Sequence, residues 1–136
     1  MFSLTVKSNY AIRAILVLVE NYNKQLVQIK DVVEEYNVSK NYLEQIFNTL
    51  RKSEIVKSIR GNKGGYKLAC DPSQITLFDV LEVLEGKLEV DKGMNLESVS
   101  DIYRDVENLV KEKLSVSLLE IHQRQKRHTE PVFFQI

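Results

Sequence analysis

Residues 39–52 read SKNYLEQIFNTLRK, and residues 60–66 read RGNKGGY; together these two segments decide the fold. In the first, Leu43, Ile46, Phe47 and Leu50 recur at the i, i+3, i+4, i+7 spacing of one helical face. Ser39 is a good N-cap for that helix. At about 100° per residue the opposite face carries Asn41, Gln45, Asn48 and Lys52. Lys40 and Tyr42 flank its N-terminal end, and Glu44 and Arg51 lie on one edge. Just upstream, Ile29, Val32, Val33 and Tyr36 make the same stripe, with Asn37-Val38 as the turn between. Two helices joined by so short a turn read as a helix-turn-helix.

Downstream of residue 52 the period changes. Residues 55–60 and 66–70 favour strands and flank Gly61-Asn62-Lys63-Gly64-Gly65, which predicts a hairpin with a five-residue loop. Three glycines let this backbone turn tightly and lie close to another surface, while Arg60, Lys63 and Lys67 supply charge. A plain hairpin turn would use the same glycines. Its position directly after a helix-turn-helix, with a basic tip, makes it a wing suited to phosphate or a minor groove.

The rest of the chain fits around this centre. Residues 7–20 are apolar on most sides (Ala11, Ala14, Ile15, Leu18, Val19) and predict a buried central helix, followed by a polar break over 21–25. Asp71-Pro72 is a turn. Thr76 with Asp79 resembles a capping box, and Leu77, Val80, Leu81 and Leu84 stripe a fourth helix that stops at Gly86. Residues 87–97 form a polar linker. A long amphipathic helix over 98–114 carries Val99, Ile102, Tyr103, Val106, Leu109 and Val110; a dimer seam is favoured over a ligand pocket for this stripe. Leu118, Leu119 and Ile121 suggest a short last helix, and residues 129–136 form an apolar tail containing Val132-Phe133-Phe134.

Composition narrows the function classes. A chain of 136 residues with 43% apolar content fits one domain plus an appendage. Its longest apolar run, residues 14–19, is too short to span a membrane, and no small-residue cleavage site follows it, so a cytoplasmic location is expected. The single cysteine, Cys70, excludes an intramolecular disulfide, and no Cys/His cluster offers a metal site; no metal and no cofactor are expected. Cys70 is expected to be a small buried residue. His122 and His128, six apart, do not share a helical face and are expected at the surface. Neither GxxxxGK[ST] nor GxGxxG is present, and no nucleophile–base pair or paired-carboxylate motif points to an enzyme. The net charge of zero is divided: residues 1–70 hold 11 Lys/Arg against 6 Asp/Glu, and residues 71–136 hold 8 against 13. A basic half is a hint of nucleic acid. Asn and Gln can pair bidentately with adenine, and Glu can accept from cytosine. A solvated helix face would look similar; the preceding helix and the following wing favour base readout.

Asn9-Tyr10-Ala11-Ile12-Arg13-Ala14, Tyr42-Leu43-Glu44-Gln45-Ile46-Phe47, Leu50-Arg51-Lys52, Ser58-Ile59-Arg60-Gly61 and Lys63-Gly64-Gly65-Tyr66-Lys67-Leu68 resemble the bacterial winged-helix regulators of the Rrf-two family. The resemblance covers about residues 1–86. It implies a mainly α fold with a small β-hairpin: a winged helix-turn-helix over 1–86, a linker over 87–97, and a dimerisation helix, terminal helix and tail over 98–136. It also implies a homodimer on double-stranded operator DNA, open to a small-molecule or protein effector. Ser39, Lys40, Asn41, Tyr42, Gln45, Asn48 and Lys52, with Arg60, Gly61, Asn62, Lys63, Gly64 and Gly65, are the expected DNA contacts. Cluster-bearing members carry three cysteines before the long helix; residues 87–97 carry none, so iron–sulfur sensing is not carried over. Glu54 stands where the family usually has the glycine that ends the recognition helix. The expected function is transcriptional repression. The runner-up is a regulator-fold protein-interaction module controlled by a protein partner or small ligand, with DNA binding secondary, suggested by the acidic second half and the apolar tail.

Overall fold

The apolar stripes close on one another around α1 (Val6–Glu20), whose Ala11, Ala14, Ile15 and Leu18 are buried. The computed structural model describes residues 2–129. Thr5 caps α1, its side chain accepting from the Ser8 N–H. α2 (Ile29–Tyr36) ends at Asn37, which takes the left-handed conformation (φ +51°) that stops a helix. α3 (Lys40–Lys52) buries Leu43, Ile46, Phe47 and Leu50 against α1 and α2. Those four side chains are the stripe expected from spacing.

The hairpin is shorter than expected. β1 (Val56–Ile59) pairs antiparallel with β2 (Gly65–Leu68) in the register Val56↔Leu68 to Ile59↔Gly65, so the loop is residues 60–64. Val27 adds a third, one-residue rung: its N–H donates to the Tyr66 carbonyl at 2.9 Å, and the Tyr66 N–H returns the bond at 2.7 Å. A 3-10 turn, Pro72–Gln74, leads into α4 (Leu77–Glu85), whose capping box is Thr76 with Asp79.

After the linker, α5 (Glu97–Leu114) buries none of its residues, and Ile102 and Leu109 are 60% and 65% exposed. The linker lies along α5, where Glu107 Oε1 accepts from the Val90 and Asp91 N–H groups at 2.6 and 2.9 Å. α6 (Leu118–Thr129) returns to the core and packs on α1. Leu118 is fully buried, its N–H donates to the Ile75 carbonyl, and the Leu77 N–H donates to the Val116 carbonyl. This helix has 12 residues, longer than the short element expected. The tail containing Val132-Phe133-Phe134 lies outside the described residues. Three-helix packing, a hairpin beside the third helix and a one-residue bridge before the second make this a winged helix.

Two expectations are corrected here. Cys70 is exposed, not buried, because β2 stops at Leu68 and Cys70 falls in the bend before Asp71 caps the next turn. His122 is only partly exposed. Its side chain is only 18% exposed and its Nε2 lies 2.6 Å from Glu20 Oε2, a contact created when α6 folds back on α1. His128 is exposed, as expected.

Candidate nucleic-acid interface

α3 presents its polar face outward. Asn41, Gln45, Asn48 and Lys52 are all exposed. Ser39 holds the N-terminal turn, its Oγ accepting from the Tyr42 N–H at 3.5 Å. Lys40 Nζ lies 4.0 Å from Glu44 Oε1 along one edge, which partly neutralises the lysine. Arg51 Nη2 donates to Asn48 Oδ1 at 2.8 Å, leaving the Asn48 amide NH2 turned to be the donor. Tyr42 is placed differently from its neighbours. It is half-buried, with its ring edge-on to Tyr10 at a centroid distance of 5.8 Å.

The wing tip is built from backbone constraints. The Gly64 N–H donates to the Gly61 carbonyl at 2.9 Å, and Gly61 takes φ +118°, with open space where a side chain would be. Arg60, Asn62 and Lys63 are exposed around this turn. Gly64 is buried, and a Cβ there would lie 2.1 Å from the Ile59 carbonyl oxygen. A Cβ on Gly65 would lie 2.7 Å from the Val27 carbonyl oxygen. These two glycines therefore serve the approach of chain segments within the fold, while Gly61 serves the turn.

Helix and wing are joined by contacts that spacing did not reveal. Phe47, on the inner face of α3, stacks on Tyr66 of β2 with centroids 4.5 Å apart and planes tilted by 31°. Gln28, which precedes α2, donates from Nε2 to the Gly64 carbonyl at 3.3 Å and from its backbone N–H to Asp31 Oδ2 at 2.9 Å. The Gln28 signal was present as a polar residue three before Asp31, a capping-box spacing. Val27 offered no signal.

At the opposite end of α1, Glu85 Oε1 accepts from the Thr5 N–H at 3.3 Å and from the hydroxyls of Thr5 and Ser8. Desolvation pushes the Glu85 carboxyl up, but the hydrogen bonds from Ser8 and Thr5 and the charge of Lys7 outweigh it and hold it below the ordinary range.

The sequence model of the Rrf2 (Rrf-two) family, described as an iron-dependent transcriptional regulator, matches residues 4–129. CymR of Bacillus subtilis, an HTH-type transcriptional regulator, is 31% identical over 119 residues, which cover 86% of each chain. IscR of Vibrio atlanticus is 36% identical over 89 residues, 65% of this chain and 51% of its own. The chain thus spans most of that CymR and about half of that IscR. Among solved structures, B. subtilis CymR superposes with a TM-score of 0.78 at 30% identity, covering 91% of this chain and 98% of that one. T. potens IscR superposes with a TM-score of 0.79 at 28% identity, over 96% and 93% of the two chains. The iron in the family description finds no ligand set among the described residues. Residues 87–97 carry neither Cys nor His, the single cysteine sits at the base of the hairpin, and among the described residues no group of three His, Cys, Asp or Glu could hold a metal ion.

Proposed function

From the premise that this chain belongs to the Rrf2 family of DNA-binding transcriptional regulators, we propose that it works as a homodimeric repressor whose α3 reads the major groove. Asn41 and Gln45 are the base readers, since an exposed amide can satisfy adenine bidentately. Asn48 extends the same face, and Lys40, Tyr42 and Lys52 border it. Arg60, Asn62 and Lys63 at the wing tip meet phosphate or the minor groove, where positive charge follows the negative potential. Repression then follows from occupancy of a promoter. The second copy is joined through α5, where Val99, Ile102, Tyr103, Val106, Leu109 and Val110 form a stripe that this chain alone leaves unburied.

One observation carries this reading. The outward amide face of α3 and the glycine-turned basic tip are linked through the Phe47–Tyr66 stack, so both can engage one duplex as a unit.

The test is a salt titration of binding to operator and to random DNA. Asn41→Ala or Gln45→Ala should cost about 1–3 kcal/mol on the operator and leave the salt slope unchanged. Lys63→Ala should weaken both DNAs together and lower the slope by about one per subunit. Equal losses on both DNAs with equal slopes for Gln45→Ala and Lys63→Ala would overturn this division of labour.

A further inference from the structure

The base of the wing carries an unpaired cluster of positive charge that base reading does not use. Lys57 of β1 and Lys67 of β2 are direct cross-strand partners. Their neighbours in the strands, Val56 and Leu68, are buried, so both lysines project from the outer face of the hairpin. Like charges directly opposite one another weaken a strand pair. No carboxylate comes within ion-pair distance of either lysine, or of Lys24, among the described residues.

Lys24 joins them because of the Val27–Tyr66 rung. In an antiparallel pairing, stepping back from Val27 runs alongside the forward step from Tyr66, which brings residues 22–26 beside the end of β2. The result is a concavity of about 270 Å³ lined by Lys24, Lys57 and Lys67 together with Asn23 and Gln25, whose Nε2 donates one hydrogen to Asn21 Oδ1 at 3.0 Å and keeps a second. No Asp or Glu lines it. Glu54 lines the neighbouring hollow, with Arg51 and Cys70; Lys57 and Lys67 border both hollows, and Glu54 lies beyond ion-pair distance of either. That volume lies just under the range of pockets for drug-sized ligands, about 300–1,000 Å³, and leaves room for a phosphate group. Lys57 is four residues from Gly61, about 13 Å along a strand, so the hollow is set back from the wing tip.

We propose that this hollow binds a phosphate-class anion, held by Lys24, Lys57 and Lys67 with amide donors from Asn23 and Gln25. An anion there relieves the Lys57–Lys67 repulsion and braces the two strands that carry the tip. Its source is either a small free phosphate compound or a phosphate of DNA flanking the operator. The binding itself does not rest on the operator reading; only its effect on the wing does.

Inorganic phosphate titrated into the full-length protein without DNA, against chloride at matched ionic strength, tests the proposal by amide NMR shifts. Saturable shifts confined to residues 22–26, 57 and 67 are expected, with affinity reduced about tenfold in Lys67→Gln by loss of one charge-assisted bond. Lys92→Gln, in the linker, should leave the titration unchanged. The second arm measures Lys67→Gln on operator DNA. If free phosphate does not saturate but this variant lowers the salt slope by about one per subunit, the anion is a DNA phosphate. Without saturation and with an unchanged slope, the proposal is overturned. A protein that binds phosphate here but no DNA would overturn only the operator reading.

Discussion

Glu54→Gly should stabilise this protein, and the end of α3 shows why. Glu54 takes φ +61°, the left-handed conformation. It is the C′ residue of a Schellman motif: the Glu54 N–H donates to the Arg51 carbonyl at 3.1 Å, and the Ile55 N–H to the Leu50 carbonyl at 3.0 Å. Leu50 and Ile55, both buried, supply the apolar contact that usually accompanies this motif. A residue with a Cβ is strained in this conformation by about 1–2 kcal/mol, and glycine is not. The looser unfolded chain that glycine brings takes back about 0.4–1 kcal/mol. The exposed Glu54 side chain makes no hydrogen bond or ion pair among the described residues, so little else is lost. The net expectation is a gain of about 0.5–1 kcal/mol, or about 2–4 °C in Tm for a chain of this length. Glu54→Val, with its branched Cβ, should move the midpoint the other way. Urea unfolding at equilibrium is the assay, with the m-value showing that the two end states are unchanged. A Glu54→Gly midpoint at or below that of the parent, at constant m, refutes the argument. Operator affinity should not change, because the same motif already directs the chain into β1.

Three further outcomes are expected. Leu118→Ala should cost about 2–5 kcal/mol in urea unfolding, because Leu118 is fully buried and docks α6 on the core. A loss under about 1 kcal/mol would mean that α6 is detached from the cooperative unit. Ile102→Glu combined with Leu109→Glu should yield folded monomers in sedimentation, since both exposed side chains lie on the proposed seam; a dimer of unchanged affinity would place the seam elsewhere. Glu85 contributes stability above the ordinary glutamate range, because its folded carboxyl titrates lower than its unfolded one. That contribution is lost as pH falls through the folded value, so urea midpoints followed from about pH 6 to about pH 3 should fall less in Glu85→Gln than in the parent. Parallel curves would remove Glu85 from the account.

What could be read without the structure follows from how far each signal extends. α3 was legible because four inward residues repeat on one face and Ser39 caps them, so the positions of Asn41 and Gln45 followed from geometry alone. α5 was legible for the same reason, to within one residue at its start. The second half of α6 was not, because residues 123–129 have no apolar stripe; its anchors are Leu118, Ile121 and the His122–Glu20 contact, all long-range. Cys70 was misplaced because its exposure depends on where β2 stops pairing, and strand ends carry little signal. Tyr42 and Gly64 were chosen for chemistry that their residue types permit. Their half-buried and buried states depend on Tyr10 and the Ile59 carbonyl, which lie elsewhere in the chain.

The deeper gap concerns how separate segments become one site. A helical period orients Asn41 and Gln45 relative to Leu43 and Phe47, and a glycine turn orients Lys63 relative to Arg60. Neither relates the helix to the tip. That relation comes from Tyr66, whose backbone pairs with Ser58 of β1 and with Val27 while its ring meets Phe47. Tyr66 is thus held from three directions: by β1, by the rung before α2 and by the inner face of α3. A single-residue rung has no period, and a stack between residues 19 positions apart has no local spacing, so this junction is invisible to any window-based reading. It is also the place where a change touching no DNA should weaken operator binding, by letting the wing swing relative to a correctly folded α3.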